Sequence, residues 1–98
     1  MYAVIFQAEI HEIDDSYSKM AAKLRNLALE KYGCSEFVVV TEGNKEVAIS
    51  YWEDENNIKL WKEDSQHLVA QNIGSSKWYK NYKVQIVQII REYERSDI

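Results

Sequence analysis

The chain has 98 residues, a length that suits one domain, and its net charge of −4 comes from interspersed acids and bases. Its apolar fraction of 46% and charged fraction of 29% are those of an ordinary folded domain. The lack of a basic face argues against nucleic-acid binding, and no apolar run approaches the ~20 residues of a membrane span. The apolar N-terminus lacks a basic flank and a cleavage site, so we expect no secretion signal. We predict one domain over residues 1–98, with no nucleic-acid or membrane partner.

The cysteine and histidine content argues against several kinds of site. Cys34 is alone, so it cannot form an internal disulfide, and we predict a cytoplasmic location and a buried, unreactive thiol. His11 and His67 are far apart in sequence and no Cys-x-x-Cys motif exists, so we predict no metal site. No glycine-rich phosphate loop is present either.

The first half of the chain predicts a strand, a helix and a hairpin. Residues 2–10 alternate and are partly apolar on both faces, which indicates a strand. Acidic residues at 14 and 15 can cap an amphipathic helix that ends at Gly33. Residues 37–41 and 47–52 are two further strands. The turn between them contains Gly43 and Asn44, which both tolerate positive φ.

The second half predicts helices and a last strand. Asp54 can cap a helix carrying Ile58 and Trp61, and we expect that helix to break near Asp64 and Ser65. A short second helix would then end at Gly74. Residues 82–94 form the longest strand candidate, again apolar on both faces.

The element order β-α-β-β-α-β predicts an α+β, ferredoxin-like fold with an antiparallel sheet. Two helices can cover only one face of four strands, yet three strands are apolar on both faces. An uncovered apolar face needs a partner, and a second copy packed sheet against sheet as a C2 homodimer is the direct solution.

The stretch from Ser50 to His67 holds the candidate site. Asn57 and Trp61 are four residues apart and share a helical face, whereas His67 is about 600° further round and needs the predicted break to turn back. Asn offers an amide, His a titratable imidazole and Trp a flat apolar wall, which together suit a hydroxylated aromatic ligand. On these residues alone, we favour the alternative that they simply fill a core.

The pattern resembles the antibiotic biosynthesis monooxygenase (ABM) superfamily over nearly the whole chain. The residues that carry the resemblance are Ser50-Tyr51-Trp52, Ile58, Trp61-Lys62, His67, Ala70-Gln71, Trp78-Tyr79 and Tyr82, with the upstream Ala3–Phe6 strand and Leu24–Ala28 helix. The resemblance implies a dimeric α+β barrel with one pocket per protomer between sheet and helices. Members oxidise aromatic polyketides with molecular oxygen, without metal or flavin.

The resemblance also implies roles for particular residues. Asn57 and Trp61 match an Asn and a Trp of those enzymes by their spacing, while His67 stands where they have a Tyr. A heme-degrading branch has a ligating His where this chain has Gln71, which argues against heme. The resulting candidate site residues are catalytic His67, Asn57 and Trp61, with Trp52, Trp78, Tyr51 and Phe6 binding the substrate.

Three functional hypotheses follow. The first is a cofactor-independent monooxygenase that uses O2 as co-substrate and takes a small phenolic, quinol or polyketide-like aromatic. The second is a non-catalytic dimeric protein, either a small-ligand-binding protein or a stress protein. The third, disfavoured by Gln71, is a heme-binding or heme-degrading protein.

Overall fold

A computed structural model describes residues 1–70 and 78–96, with the backbone alone over 67–70. Its elements are β1 Tyr2–Ile10, α1 Asp15–Lys31, β2 Glu36–Glu42, β3 Lys45–Trp52, α2 Glu55–Ala70 and β4 Tyr79–Gln88. This order confirms the predicted β-α-β-β-α-β arrangement and the α+β, ferredoxin-like class. Among the described residues, no helix has both the length and the apolar character needed to cross a membrane.

The four strands form one antiparallel sheet in the order β2-β3-β1-β4. Phe6, at the middle of β1, lies opposite Ala48 of β3 and Val84 of β4. Because side chains alternate along a strand, the even-numbered residues of β1 and β3 share one face, which packs against the helices. We call this side the helix face and the opposite side the helix-free face.

The ends of α1 follow from three local features. The Asp14 side chain accepts a hydrogen bond from the backbone N–H of Tyr17 at 2.8 Å, as an N-cap residue does. Asp15 in the first turn and Lys31 in the last suit the helix dipole. Gly33 then takes a φ of 75°, a left-handed conformation that other residues adopt at a cost. The predicted helix ends are confirmed.

The β2–β3 hairpin turn uses one left-handed residue. Gly43 has a φ of 60°. No non-glycine residue of the described chain has a positive φ, so Asn44 has a negative φ although asparagine tolerates a positive one. Positive φ at the first central residue alone is the pattern of a type II′ turn, whose twist matches that of the flanking strands.

Helix α2 is continuous over Glu55–Ala70, so the predicted break near Asp64 and Ser65 is wrong. The Ser65 hydroxyl does not cap a new helix; it donates to the Trp61 carbonyl one turn earlier at 2.6 Å. A serine can therefore lie inside a helix with its hydroxyl bonded. The predicted short helix ending at Gly74 falls partly outside the described residues.

Strand β4 ends at Gln88, short of the predicted Glu94. Gln88 lies opposite Tyr2, the first residue of β1, so no further β1 residue is available to pair with the chain beyond it. The Ile89 N–H donates to the Met1 carbonyl at 3.0 Å, and the rest of the tail carries Ile90 and Tyr93, which are 92% and 85% exposed.

The helix face carries two packed clusters, one at each end of β1. The first contains Val4, Ala28, Cys34, Trp52 and Ile58. The second contains Ala8, Ile10, Tyr17, Met20 and Trp78. Helix α1 contributes to both clusters, while α2 contributes Ile58 to the first, so the helical layer is thickest at one end of the sheet.

The helix-free face is apolar over one half of the sheet. Ala3 and Ile5 of β1 lie there beside Ile49 and Tyr51 of β3. On the edge strand β2, Val40 is 61% exposed on this face. The other half is polar, with Gln7, Glu9, Lys45 and Lys83. The predicted two-faced apolar character of the strands is therefore present in the structure.

Candidate functional site

Two tryptophans form the centre of the first cluster. Trp52 is fully buried, and its indole N–H donates to the Ser50 hydroxyl at 2.8 Å. The Trp61 ring lies 5.3 Å from that of Trp52, and its N–H donates to the Leu24 carbonyl of α1 at 3.0 Å. Both indole N–H groups are thus used within the protein, and Trp61 has only its ring to offer a ligand.

Asn57 lies one helical turn before Trp61, half-buried against the end of α1. Its side-chain nitrogen is 3.6 Å from the position that a Cβ on Gly33 would occupy. The continuous helix puts Asn57 one turn before Trp61, as the four-residue spacing predicted, and Trp61 contacts Trp52.

Position 67 lies within the continuous helix α2, and the His67 side chain is outside the described residues. Six residues of unbroken helix separate it from Trp61, which is about 600° of rotation. The break that would have turned position 67 back toward Trp61 is absent. The proton-accepting role of His67 stays a prediction, because its side chain lies outside the described residues.

The other predicted aromatic residues lie apart from this group. Trp78 is in the second cluster, with its ring 5.5 Å from that of Tyr17 in an edge-on arrangement. Phe6 contacts the rings of Tyr79 and Tyr82 at 5.9 and 6.1 Å. Tyr51 is on the helix-free face, opposite Ala3, so it cannot line a hollow on the helix face of its own protomer.

A buried carboxylate beside Tyr17 was missed in the sequence. Glu46 is only 8% exposed, at the start of β3, and it accepts a hydrogen bond from the Tyr17 hydroxyl. Strand alternation could have found it, because Glu46 shares the face of Ala48 and Trp52. A charged residue on an inward-facing strand position is expensive to bury without a partner, and so it indicates a specific role.

The surroundings keep the neighbouring phenols protonated. Burial, followed by the hydrogen bond to Glu46, raises the pKa of Tyr17 far above the ordinary tyrosine value. Burial also raises the pKa of Tyr79, which lies beside Tyr17. Burial raises the pKa of the Cys34 thiol as well, which agrees with an unreactive cysteine.

Along the edge strand β4 and at the middle of β1, the helix face is incompletely covered. We call this region the helix-side strip and define it by Phe6, Ala48, Tyr82, Val84 and Ile86, which share the face by strand register. Phe6 and Ala48 are half-buried, whereas Tyr82, Val84 and Ile86 are 64%, 38% and 41% exposed. An accessible apolar strip of this kind, which includes two aromatic rings, is a surface that a ligand or a partner could cover.

Other possible sites are weaker. A cavity of about 180 Å³ at the polar end of the sheet is lined by Gln7, Glu9, Lys45 and Lys83 and by none of the predicted catalytic residues. Among the residues the structure describes, no group of three or more His, Cys, Asp or Glu side chains could hold a metal ion.

Solved structures with the same architecture define the class. SnoaB, a cofactor-independent oxygenase from Streptomyces nogalater whose structure is that of a point mutant, matches with a TM-score of 0.77 at 10% identity, covering 96% of this chain and 97% of that one. A structure described as an antibiotic biosynthesis monooxygenase matches with a TM-score of 0.61 at 18% identity, over 93% of this chain and 100% of the other. The chain therefore has the fold of the ABM superfamily.

A sequence relative gives the narrower grouping. YqjZ of Bacillus subtilis, an uncharacterized protein, is 30% identical over 92 residues, which are 93% of this chain and 81% of YqjZ. The chain belongs to the same family as YqjZ. No family model matches the sequence.

We predict that Tyr17 makes the protein sensitive to alkali. Above the ordinary tyrosine pKa of about 10, unfolded Tyr17 releases a proton that native Tyr17 retains, so the free energy of unfolding falls as pH rises, by up to ~1.4 kcal/mol per pH unit. Urea denaturation between pH 8 and 11 measures this slope. Tyr17→Phe should flatten it, and Tyr93→Phe, at an exposed tyrosine, is the control. Equal slopes for wild type and Tyr17→Phe would contradict the burial argument.

Proposed function

We propose that this protein is a cofactor-independent monooxygenase that oxidises a small phenolic, quinol or polyketide-like aromatic with O2. The observation that carries the proposal is the helix-side strip, an accessible apolar surface bordered by the rings of Phe6, Tyr79 and Tyr82. A flat aromatic molecule could lie against it. The ABM fold supports the same reading, since SnoaB, which shares that fold, is itself described as a cofactor-independent oxygenase.

The proposed reaction requires few catalytic groups from the protein. Loss of a proton from a phenol, quinol or anthrone gives an electron-rich anion, and such anions can reduce O2 directly. The protein then needs to bind the ring, remove the proton and exclude water. No metal or organic cofactor enters the proposed reaction, in which O2 is the co-substrate.

The residues predicted from the sequence have different roles in the proposed reaction. Asn57 and Trp61, at the first cluster and apart from the strip, stay sequence-based candidates for holding a substrate oxygen and for packing against its ring. Trp52 lies behind Trp61 and would support it rather than touch the substrate. Phe6 would contact the ring within the strip, and Trp78 would back the second cluster. His67 stays a sequence-based candidate for proton removal, with its side chain outside the described residues.

Oxygen uptake with a panel of hydroquinones and anthrones tests the proposal. We expect wild-type protein to consume O2 and to yield an oxygenated product detectable by mass spectrometry, at a rate above that of heat-denatured protein. Phe6→Ala should raise KM because it removes a ring from the strip, whereas Gln85→Ala, on the helix-free face, should not.

The alternative, a non-catalytic binding protein, gives a different pattern. The same panel would raise Tm without forming product, because a ligand that binds only the native state stabilises it. Ligand-dependent stabilisation without turnover would contradict the monooxygenase proposal and support the binding protein. A Soret band on heme titration would favour the third hypothesis.

We also propose a homodimer that buries the helix-free face. Ile5, Ile49 and Tyr51 form an apolar patch there, and the exposed Val38 and Val40 extend it along β2. Apolar surface of this kind on a small domain marks an interface. A second copy packed sheet against sheet would bury the same patch on both protomers, as C2 symmetry requires.

Sedimentation velocity tests the dimer. We expect wild type to sediment at twice its chain mass of 11.6 kDa at micromolar concentration. Ile49→Lys should shift it to the monomer by placing a charge in the apolar patch, while Asn81→Lys, at an exposed position on the polar half of the same face, should not. A folded wild-type monomer at tens of micromolar would contradict the proposal.

A further inference from the structure

We propose that Glu46 is the final proton acceptor of the reaction, reached from a substrate on the helix-side strip through the hydroxyls of Tyr79 and Tyr17. This inference rests on the proposed function and names a route for the proton that neither the sequence motifs nor the resemblance assigned. It places proton removal at the second cluster, away from Trp61 and position 67.

Tyr17 and Glu46 form the buried end of the proposed proton route. Glu46 lies on the helix face beside Ala8 and Ala48, and its carboxylate accepts a hydrogen bond from the Tyr17 hydroxyl. Both residues are more than nine-tenths buried. A carboxylate in such a place costs several kcal/mol to desolvate unless it is hydrogen-bonded, and on stability alone a pair of apolar residues would serve as well. A role in proton transfer would explain why a buried carboxylate and phenol, and not two apolar residues, lie here.

Tyr79 connects this pair to the strip. The ring of Tyr79 lies 6.0 Å from that of Tyr17 in an edge-on arrangement. Both rings lie on the helix face, where Tyr79 packs against the cluster that contains Tyr17. Tyr79 is half-buried, and its ring contacts both Phe6 and Tyr82 of the strip. Tyr79 therefore borders the accessible surface on one side and the buried pair on the other.

The proton transfer follows this route from the substrate inward. The substrate gives its acidic C–H or O–H proton to the Tyr79 oxygen, and the bonding electron pair stays on the substrate as its enolate or phenolate. The Tyr79 hydroxyl proton passes to the Tyr17 oxygen, and the Tyr17 proton passes to Glu46. Glu46 ends as a carboxylic acid and both phenols are restored, so only one proton has moved. No oxidant takes part in this step.

The groups around Glu46 suit it to this task. Tyr17 faces it from α1, and Tyr79 of β4, whose ring packs edge-on against that of Tyr17, lies on the same face of the sheet. Both are phenols whose raised pKa keeps their protons available for relay over the physiological range. Tyr82, next to Ala8 in the register, faces the same side of the sheet. The proton reaches Glu46 along the existing hydrogen bond, and the protonated carboxyl can then donate back to the Tyr17 oxygen, so the two residues stay bonded.

Deuterium exchange into anthrone without oxygen tests the relay apart from the oxidation. Protein and anthrone are mixed in D2O under argon, and deuterium gain at the acidic carbon is followed by mass spectrometry. We expect wild type to catalyse exchange, and Glu46→Gln and Tyr79→Phe each to lower the rate by at least about 100-fold, the contribution typical of a positioned acid or base. Anthrone affinity should stay unchanged in both. Glu9→Gln, an exposed acid on the helix-free face, is the matched control.

The outcomes separate the two proposals. Exchange at the wild-type rate in Tyr79→Phe, or in folded Glu46→Gln, would overturn the relay, as would a wild type that binds anthrone but exchanges nothing. If Glu46→Gln fails to fold by circular dichroism, Tyr79→Phe decides, because it leaves the Tyr17–Glu46 bond in place. Wild-type exchange without oxygen uptake would support the relay and contradict the monooxygenase. An equal loss of oxygen uptake and of exchange in both variants would support both proposals.

Discussion

The helical layer of this protein rests on the even-numbered side chains of β1 and β3. Val4, Ala8 and Ile10 of β1 and Trp52 of β3 are buried against the helices because strand register places them all on one face. Two helices can cover only the ends of that face, since α1 contributes to both packed clusters and the described side chains of α2 to the first alone. The accessible strip along β4 follows from this limited cover, and the opposite, helix-free face carries no described helix.

The distribution of polar groups on the helix face separates a structural end from a reactive end. At the first cluster the indole N–H groups of Trp52 and Trp61 are bonded to Ser50 and Leu24, the second bond joins α2 to α1, and the Trp61 ring packs on Trp52 of β3. At the second cluster Glu46 and Tyr17 hold a proton and a proton acceptor beside accessible rings. The residues that dominate the sequence pattern are thus well suited to packing, and those that could move protons lie on other elements.

Most of the fold could be predicted because its signals are local. The Asp14 cap, Gly33 and the alternation of β1 each depend on a few neighbouring residues, and all are present in the structure. The expected break at Ser65 failed because a serine hydroxyl can bond within the helix, here to the Trp61 carbonyl, as well as cap a new one; the long last strand failed because its length depends on a distant partner, the end of β1. The Tyr17–Glu46 pair spans 29 positions, and no spacing rule connects them, although alternation alone places Glu46 on the inward face.

The central claim is that the helix-side strip is where an aromatic ligand binds. Titration of isotope-labelled protein with a non-oxidisable phenol, followed by NMR of backbone amides and methyl groups, tests it most directly. We expect the side-chain signals of Phe6, Val84 and Ile86, which lie on the helix face, to shift at saturating ligand. The signals of Ile5 and Val87, on the opposite face, should not shift. Shifts concentrated at Ile5 and Val87, or none on β1 and β4 at saturating ligand, would contradict it.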